Sequence, residues 1–458
     1  MSKHHGRSVV SQVLVAFGFS SALVALAVGP TMANHSPAGF AGSDRAAAVV
    51  SRIPKTSELQ GTSSQRVLAE KRFKKVILKG GFANALLAAQ PDGRVVVAGL
   101  TKIGSRFVVA RLLPDGAIDP SFRQQTKQDL ITQWSCSNSV NLVHALSLLP
   151  DGRMYIAGDL GPSSADAQGA GWCGGLYRLL PDGTVDTTFK PPWLGANPAS
   201  VLVQPDGKIL VSGEFWFTGD PWPADIQGAD FVRTGEMGVI RLMPDGSLDP
   251  TFSMVRPWDQ KMFVPYLVGL QSDGRLITFL RTWFHPHGSY ATGSVQRYNV
   301  DGSLDATFKI PSGVVDSEYD YAKPGVLMMP DGGLMVGFTN KTLTRGSLKR
   351  FDKDGKLDNT FRFSNPSRAV PTPWALQGSR IVVSLRKDVF DDKKKGYTHT
   401  ANRSLLRLQG SGRLDRTFQE RALTVGDVAV QQGGGLIVAG SRFYADGRLS
   451  NRWVDRFR

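Results

Sequence analysis

Cysteine is nearly absent: Cys136 and Cys173 are the only two among 458 residues. That excludes a disulfide-built scaffold and a four-thiolate metal centre. Long apolar runs are also missing. Beyond the first 33 residues no stretch is apolar enough to span a bilayer. After residue 50 no segment shows convincing 3.6-residue periodicity. The chain has no nucleophile elbow, phosphate loop or dinucleotide fingerprint. It has no nucleic-acid motif either. What remains is rich in Val, Ile, Leu and Ala, in short runs broken at regular intervals by Pro, Asp and Gly, as in an all-β protein.

Those breaks form a repeat. Residues 111–122 read Arg-Leu-Leu-Pro-Asp-Gly-Ala-Ile-Asp-Pro-Ser-Phe, and the phrase returns at 178–189, 241–252, 297–308 and 350–361. A degraded copy at 407–418 has Gly-Ser-Gly in place of Pro-Asp-Gly. A second, earlier turn in each unit is centred on Asp92, Asp151, Asp206, Asp273 and Asp331, with weaker copies at Gly378 and Gly433. Self-similarity at a period of this size marks solenoids, propellers or arrays. Each unit reads as four short strands, two around each turn. Seven such units predict an all-β, seven-bladed β-propeller of four-stranded antiparallel blades.

The turn chemistry sets the register. Pro fixes φ at the first central position, and Gly supplies the left-handed residue of a three-residue hairpin loop. With 114–116 as the loop, Leu113 faces Ala117 and Arg111 faces Asp119 on one sheet face. The same count pairs Arg178 with Asp186, Arg241 with Asp249, Arg297 with Asp305, Arg350 with Asp358 and Arg407 with Asp415. Repetition argues that these pairs are structural rather than catalytic. The terminal Phe of each unit is expected between blades. The seventh unit stops after a third strand at 452–458, so residues 66–73 are expected to supply its outer strand and remove an open edge. Arg456 would then meet Glu70.

The Pro-Asp-Gly run followed by Arg-x-x-Pro-Asp-Gly-x-Leu-Asp-x-x-Phe resembles the delta-60 repeat of bacterial secreted and surface proteins. The resemblance covers residues 66–458 and implies a β-propeller of unknown function. It carries no established activity or cofactor, and none is expected here.

The first 33 residues read as a signal peptide: Lys3, His4, His5 and Arg7, an apolar run over 9–28, then small residues ending at Ala33. An uncleaved anchor is the alternative. Residues 34–65 read as a linker and 66–458 as the propeller. The expected location is secreted, periplasmic or cell-surface, and export would let Cys136 and Cys173 form a disulfide, with two inert thiols as the alternative. The net charge is +15, or +13 once Lys3 and Arg7 leave with the signal. A chain this basic is drawn to acidic polymers or anionic surfaces. Its basic residues are scattered, apart from the run 393–395, so no specific nucleic acid is expected.

In an up-and-down blade both tight turns lie at one end. The variable loops at the other end carry the expected site. Trp134, Trp193, Trp216, Trp222, Trp258 and Trp283 fall in or beside these loops, with Tyr290 and the acids Glu214 and Asp220. Exposed aromatics with interspersed carboxylates suit a sugar or peptide. His285 and His287 lack a third ligand, so no metal is expected. Asp352, Asp354 and Asp358 resemble a calcium loop but align with the other second turns. The leading reading is a monomeric, exported, non-enzymatic binder of an acidic polysaccharide, cell-surface polymer or protein. An exported hydrolase or lyase acting on carbohydrate is the alternative.

Overall fold

In a computed structural model of the chain, the residues described are 73–78, 85–99, 109–125, 143–158, 175–191, 198–215, 236–252, 265–282, 292–315, 324–339, 345–365, 369–386, 389–391, 396–398, 403–441 and 452–457. All regular structure among them is β. Seven antiparallel units follow one another, each with three strands joined in chain order. The first has Ala85–Ala89, Val95–Gly99 and Val109–Leu112, and the second Val143–Leu148, Met154–Gly158 and Gly175–Leu179. The third has Pro198–Val203, Ile209–Phe215 and Glu236–Leu242, and the fourth Pro265–Leu270, Leu276–Thr282 and Thr292–Tyr298. Val326–Met328, Leu334–Thr339 and Gly346–Phe351 make the fifth, which the short strand Val314–Val315 joins to the fourth in one sheet. The sixth has Val370–Gln377, Arg380–Arg386 and Arg403–Leu408, and the seventh Thr424–Val430, Leu436–Ser441 and Arg452–Phe457.

The turns obey the expected register. Leu113 N donates to Ala117 O at 2.8 Å, Asp119 N donates to Arg111 O at 2.8 Å, and Gly116 takes a φ of 83°. The expected fourth strand is much shorter than the spacing suggests. Directly after the second turn it is one bridged residue in six units: Ile118 on Leu112, Val185 on Leu179, Leu248 on Leu242, Leu304 on Tyr298, Leu357 on Phe351 and Leu414 on Leu408. Further along, Val314–Val315 pairs with the fourth unit's third strand and the two-residue strand Arg421–Ala422 with the sixth unit's. The cause of the single bridge is the next residue. The Asp119 carboxylate accepts from Ser121 N at 2.9 Å and Ser121 Oγ at 2.6 Å, and Phe122 N donates to Asp119 O at 3.3 Å. The aspartate therefore curls the chain out of the ladder one residue after the bridge.

Burial lies between units, not within them. Each of seven apolar clusters joins two consecutive units and contains a terminal phenylalanine: Phe122, Phe189, Phe252, Phe308, Phe361 and Phe418 in six of them. The seventh cluster joins the last unit to the first and contains Phe73. First strands touch first strands in order round the units, and Thr424–Val430 returns to Ala85–Ala89. The Asp427 carboxylate accepts from Leu87 N at 2.8 Å across that seam.

The N-terminal closure holds with a shift. Residues 66–72, including Glu70, lie outside the described residues. Phe73 occupies the terminal-phenylalanine position, with Arg456 5.7 Å from its ring centroid. The strand that pairs with Arg452–Phe457 is Val76–Leu78, in the register Val76 to Val454. It follows Phe73 rather than ending on it, just as Gln125, three residues after Phe122, pairs with Val109.

Candidate functional site

Each unit has two ends with different chemistry. At one end lie both tight turns, and the side chains there tie units together. Arg111 Nε meets Asp119 at 2.7 Å, its NH1 donates to Pro181 O of the next unit at 2.7 Å, and the guanidinium lies 4.7 Å from the Phe122 centroid. Arg178 and Arg241 repeat this with Pro244 O at 2.6 Å and Val300 O at 2.8 Å. The Arg–Asp pairs expected from sequence are therefore formed, and Arg111, Arg178, Arg241 and Arg297 also clamp the next unit, the last through Lys353 O at 2.8 Å. Arg407 keeps its pair but donates its NH1 at 2.5 Å to Gln377 of its own unit, which in turn donates to Gly434 O of the seventh. Arg350 departs furthest: it turns to Asp331 at 2.5 Å and stands 3.7 Å from Asp358.

Sequence reasoning missed three parts of this end. A second cation reaches the same carboxylate from the residue two after the first turn's aspartate: Arg94 to Asp119 at 3.1 Å, Lys208 to Asp249 at 2.9 Å and Arg275 to Asp305 at 3.1 Å. The glutamine before the first turn bridges onward, as Gln271 Nε2 does to Gly332 O at 2.8 Å. The third part is Asp427 at the seam. The recurring Gln before the turn and the recurring Arg or Lys after it were the available signals.

These contacts set acid sensitivity. The hydroxyl and backbone amide of Thr307 and the Arg297 guanidinium outweigh burial and hold Asp305 down at about 2. Thr417 and Arg407 do the same for Asp415, also at about 2. For Asp249, burial opposes ionisation, yet Thr251, Lys208 and Arg241 together hold it far below the usual carboxylate range. His144, 4% exposed on the first strand of the second unit, is pushed by burial from 6.5 to about 3. A lowered histidine is neutral in the fold and protonated first in the unfolded chain, so its stabilisation declines as pH falls from 6.5 towards 3. The lowered carboxylates stabilise above 3.8 and lose that effect as pH falls through about 2. Acid titration of stability should show both windows, and His144→Leu should abolish the upper one alone. An unchanged upper window in that variant would exclude His144 as its cause.

The opposite end is where the second-to-third connections leave. In the third unit the last ladder pair is Phe215 with Glu236, and in the neighbouring fourth it is Thr282 with Thr292. Connections 216–235 and 283–291 are thus rooted side by side. The sixth unit's connection includes a hairpin of its own, Val389–Asp391 with Gly396–Thr398. Glu214 lies in the strand Ile209–Phe215, opposite Met237 at this end. Trp134, Trp193, Trp216, Trp222, Trp258, Trp283, Tyr290 and Asp220 lie outside the described residues, as do Cys136, Cys173, His285 and His287. Among the described residues, no group of three or more His, Cys, Asp or Glu is placed to hold a metal ion. No helix there is long and apolar enough to cross a membrane.

The repeats match a family described as a domain of unknown function (DUF5122) beta-propeller, over residues 90–122, 149–189, 204–222, 228–252 and 271–308. This supports a β-propeller repeat family of unknown function. No curated protein matches the chain. Solved structures similar to this propeller include a puromycin hydrolase mutant complexed with PGG, 16% identical over 82% of this chain and 54% of that one, with a TM-score of 0.45. The chain thus spans about half the length of that hydrolase. A gluconolactonase from Xanthomonas campestris is 17% identical over 69% of this chain and 88% of that one, with a TM-score of 0.35. A Trypanosoma rangeli sialidase complexed with sialic acid is 11% identical over 84% of this chain and 57% of that one, with a TM-score of 0.38. At these scores the likenesses assign no activity to the propeller.

Proposed function

We propose that the protein is an exported, monomeric, non-enzymatic seven-bladed β-propeller with repeats of the delta-60 kind. The single bridged residue after each second turn counts as the blade's fourth strand. It holds a surface polymer, such as an acidic polysaccharide, or a protein partner on its long-loop end.

One observation carries this reading. In the first four units the tight-turn end spends its charged side chains on neighbouring units, and the variation in connection length falls at the other end. Connections 216–235 and 283–291, with Trp216, Trp222 and Trp283, leave from adjacent units there. A rigid scaffold with variable loops on one face is the usual arrangement for recognition. A glycan array on the secreted protein, with product analysis of each hit, separates binding from the hydrolase or lyase alternative. Trp216→Ala and Trp283→Ala should each weaken binding to the hit by roughly 1 to 3 kcal/mol while leaving the melting temperature in place. Normal binding by both variants would move the site elsewhere.

A further inference from the structure

The sixth unit breaks the charge balance of the tight-turn end. In the units before it the first turn carries an Asp and the second turn another, such as the exposed Asp151 and Asp182 in the second unit. Here the first turn is Gly378-Ser379 and the second is Gly410-Ser411-Gly412, so both acids are gone. Arginines are added in the same place. Arg413 stands where the first four units have Ala117, Thr184, Ser247 and Ser303 and the fifth has Lys356, and Arg416 where the first five have Pro120, Thr187, Pro250, Ala306 and Asn359. Both are exposed and form no ion pair among the described residues.

Two further cations converge on this turn. Arg362 of the fifth unit donates its backbone N to Ser411 O at 2.9 Å, its backbone lies against Gly412, and the residue is exposed. Arg380, with its side chain 46% exposed, reaches Asp415 at 3.1 Å. Asp415 is already held by Arg407 at 2.7 Å. One buried carboxylate and the exposed Glu420 thus face an excess of guanidinium groups. A Cβ added at Gly378 would meet nothing within 4 Å. The two turns therefore form a low strip of Gly and Ser flanked by arginines.

We infer that this strip is a second binding surface, at the opposite end from the long loops, for a linear carboxylate-bearing polysaccharide. Guanidinium forks match carboxylates bidentately, and an open strip admits a chain rather than a small molecule. Nucleic acid fits less well, because among the described residues none of the exposed large apolar side chains is an aromatic on which bases could stack. A bilayer fits less well because Leu414 and Leu357 are the only exposed large apolar side chains of the fifth and sixth units' second turns. The inference does not depend on the long-loop reading.

The test uses the full chain with polygalacturonate as probe. Dextran, phosphatidylglycerol vesicles and a single-stranded oligonucleotide are the comparisons. The triple variant Ser411→Asp, Arg413→Ser, Arg416→Thr places at each position a residue that another unit already carries there, so it should fold. Polygalacturonate binding should weaken with added salt and fall about tenfold or more in the triple variant. Unchanged binding by the triple variant overturns the inference, as does equal binding to dextran. Tighter binding to vesicles or to the oligonucleotide also overturns it, in favour of that partner.

Discussion

Replacing Phe73 with alanine should destabilise the protein by about 3 to 5 kcal/mol, the range for a large aromatic removed from a packed interior. Phe73 is 7% exposed and belongs to the cluster that joins the seventh unit to the first, with Leu112 and Val454. Its ring lies against the second turn of the first unit, where a Cβ on Gly116 would come within 3.0 Å of it. The next residue, Lys74, donates its backbone N to Asp115 O at 2.6 Å, as Arg123 does to Asp182 O at 2.6 Å. Phe122 fills the equivalent place one unit on, so Phe122→Ala should cost a similar amount. Deleting residues 34–78 should cost more than either, because the ladder with Arg452–Phe457 goes as well and leaves an open edge. Denaturant midpoints measure all three. If the deletion melts like the full chain, the N-terminal segment does not close the ring of contacts.

That closure shows what could be read from sequence and what could not. Aligning Phe73 with Phe122 follows from the repeat, and the structure honours it. The closing strand is Val76–Leu78 rather than 66–73; the expectation of 66–73 treats the fourth position of each unit as a full strand ending on its Phe. A sidewise hydrogen bond donated by Ser121 N to the Asp119 carboxylate ends that strand, and composition does not show it. The Arg–Asp pairs were legible because a three-residue loop fixes which side chains lie opposite. The clamp from Arg111 to Pro181 O was not, since it spans 70 residues and depends on how the two units lie together. Asp427 was hidden for the same reason: its partner Leu87 is 340 residues away. The expected site is a different case. The end from which its loops leave follows from strand order and the ladders confirm it, whereas the tryptophans lie outside the described residues.

The clamps should differ sharply in worth from one unit to another. Arg241 has a side chain 6% exposed and Asp249 one 2% exposed, with 2.7 Å between Nε and Oδ2. Arg241 also donates to Val300 O at 2.8 Å and lies 4.7 Å from the Phe252 centroid. Arg241→Ala removes the pair, the link to the next unit and the packing on the ring together. Breaking a buried pair costs about 3 to 5 kcal/mol, mostly from the charge left behind. Here Lys208 remains 2.9 Å from Asp249 and Thr251 still donates to it, so the lower end of that range applies. Arg350 is the internal control. Its side chain is 29% exposed, Asp358 stands 3.7 Å away, and its short contact is with Asp331, itself 52% exposed. Solvent screens such a pair, so Arg350→Ala should cost no more than about 1 kcal/mol. Urea denaturation of the two variants side by side, at neutral pH and moderate salt, makes the comparison. A deficit for Arg350→Ala as large as that for Arg241→Ala would mean that the link to the next unit is not what gives these arginines their effect. The contribution would then come from the Arg–Asp pairing itself.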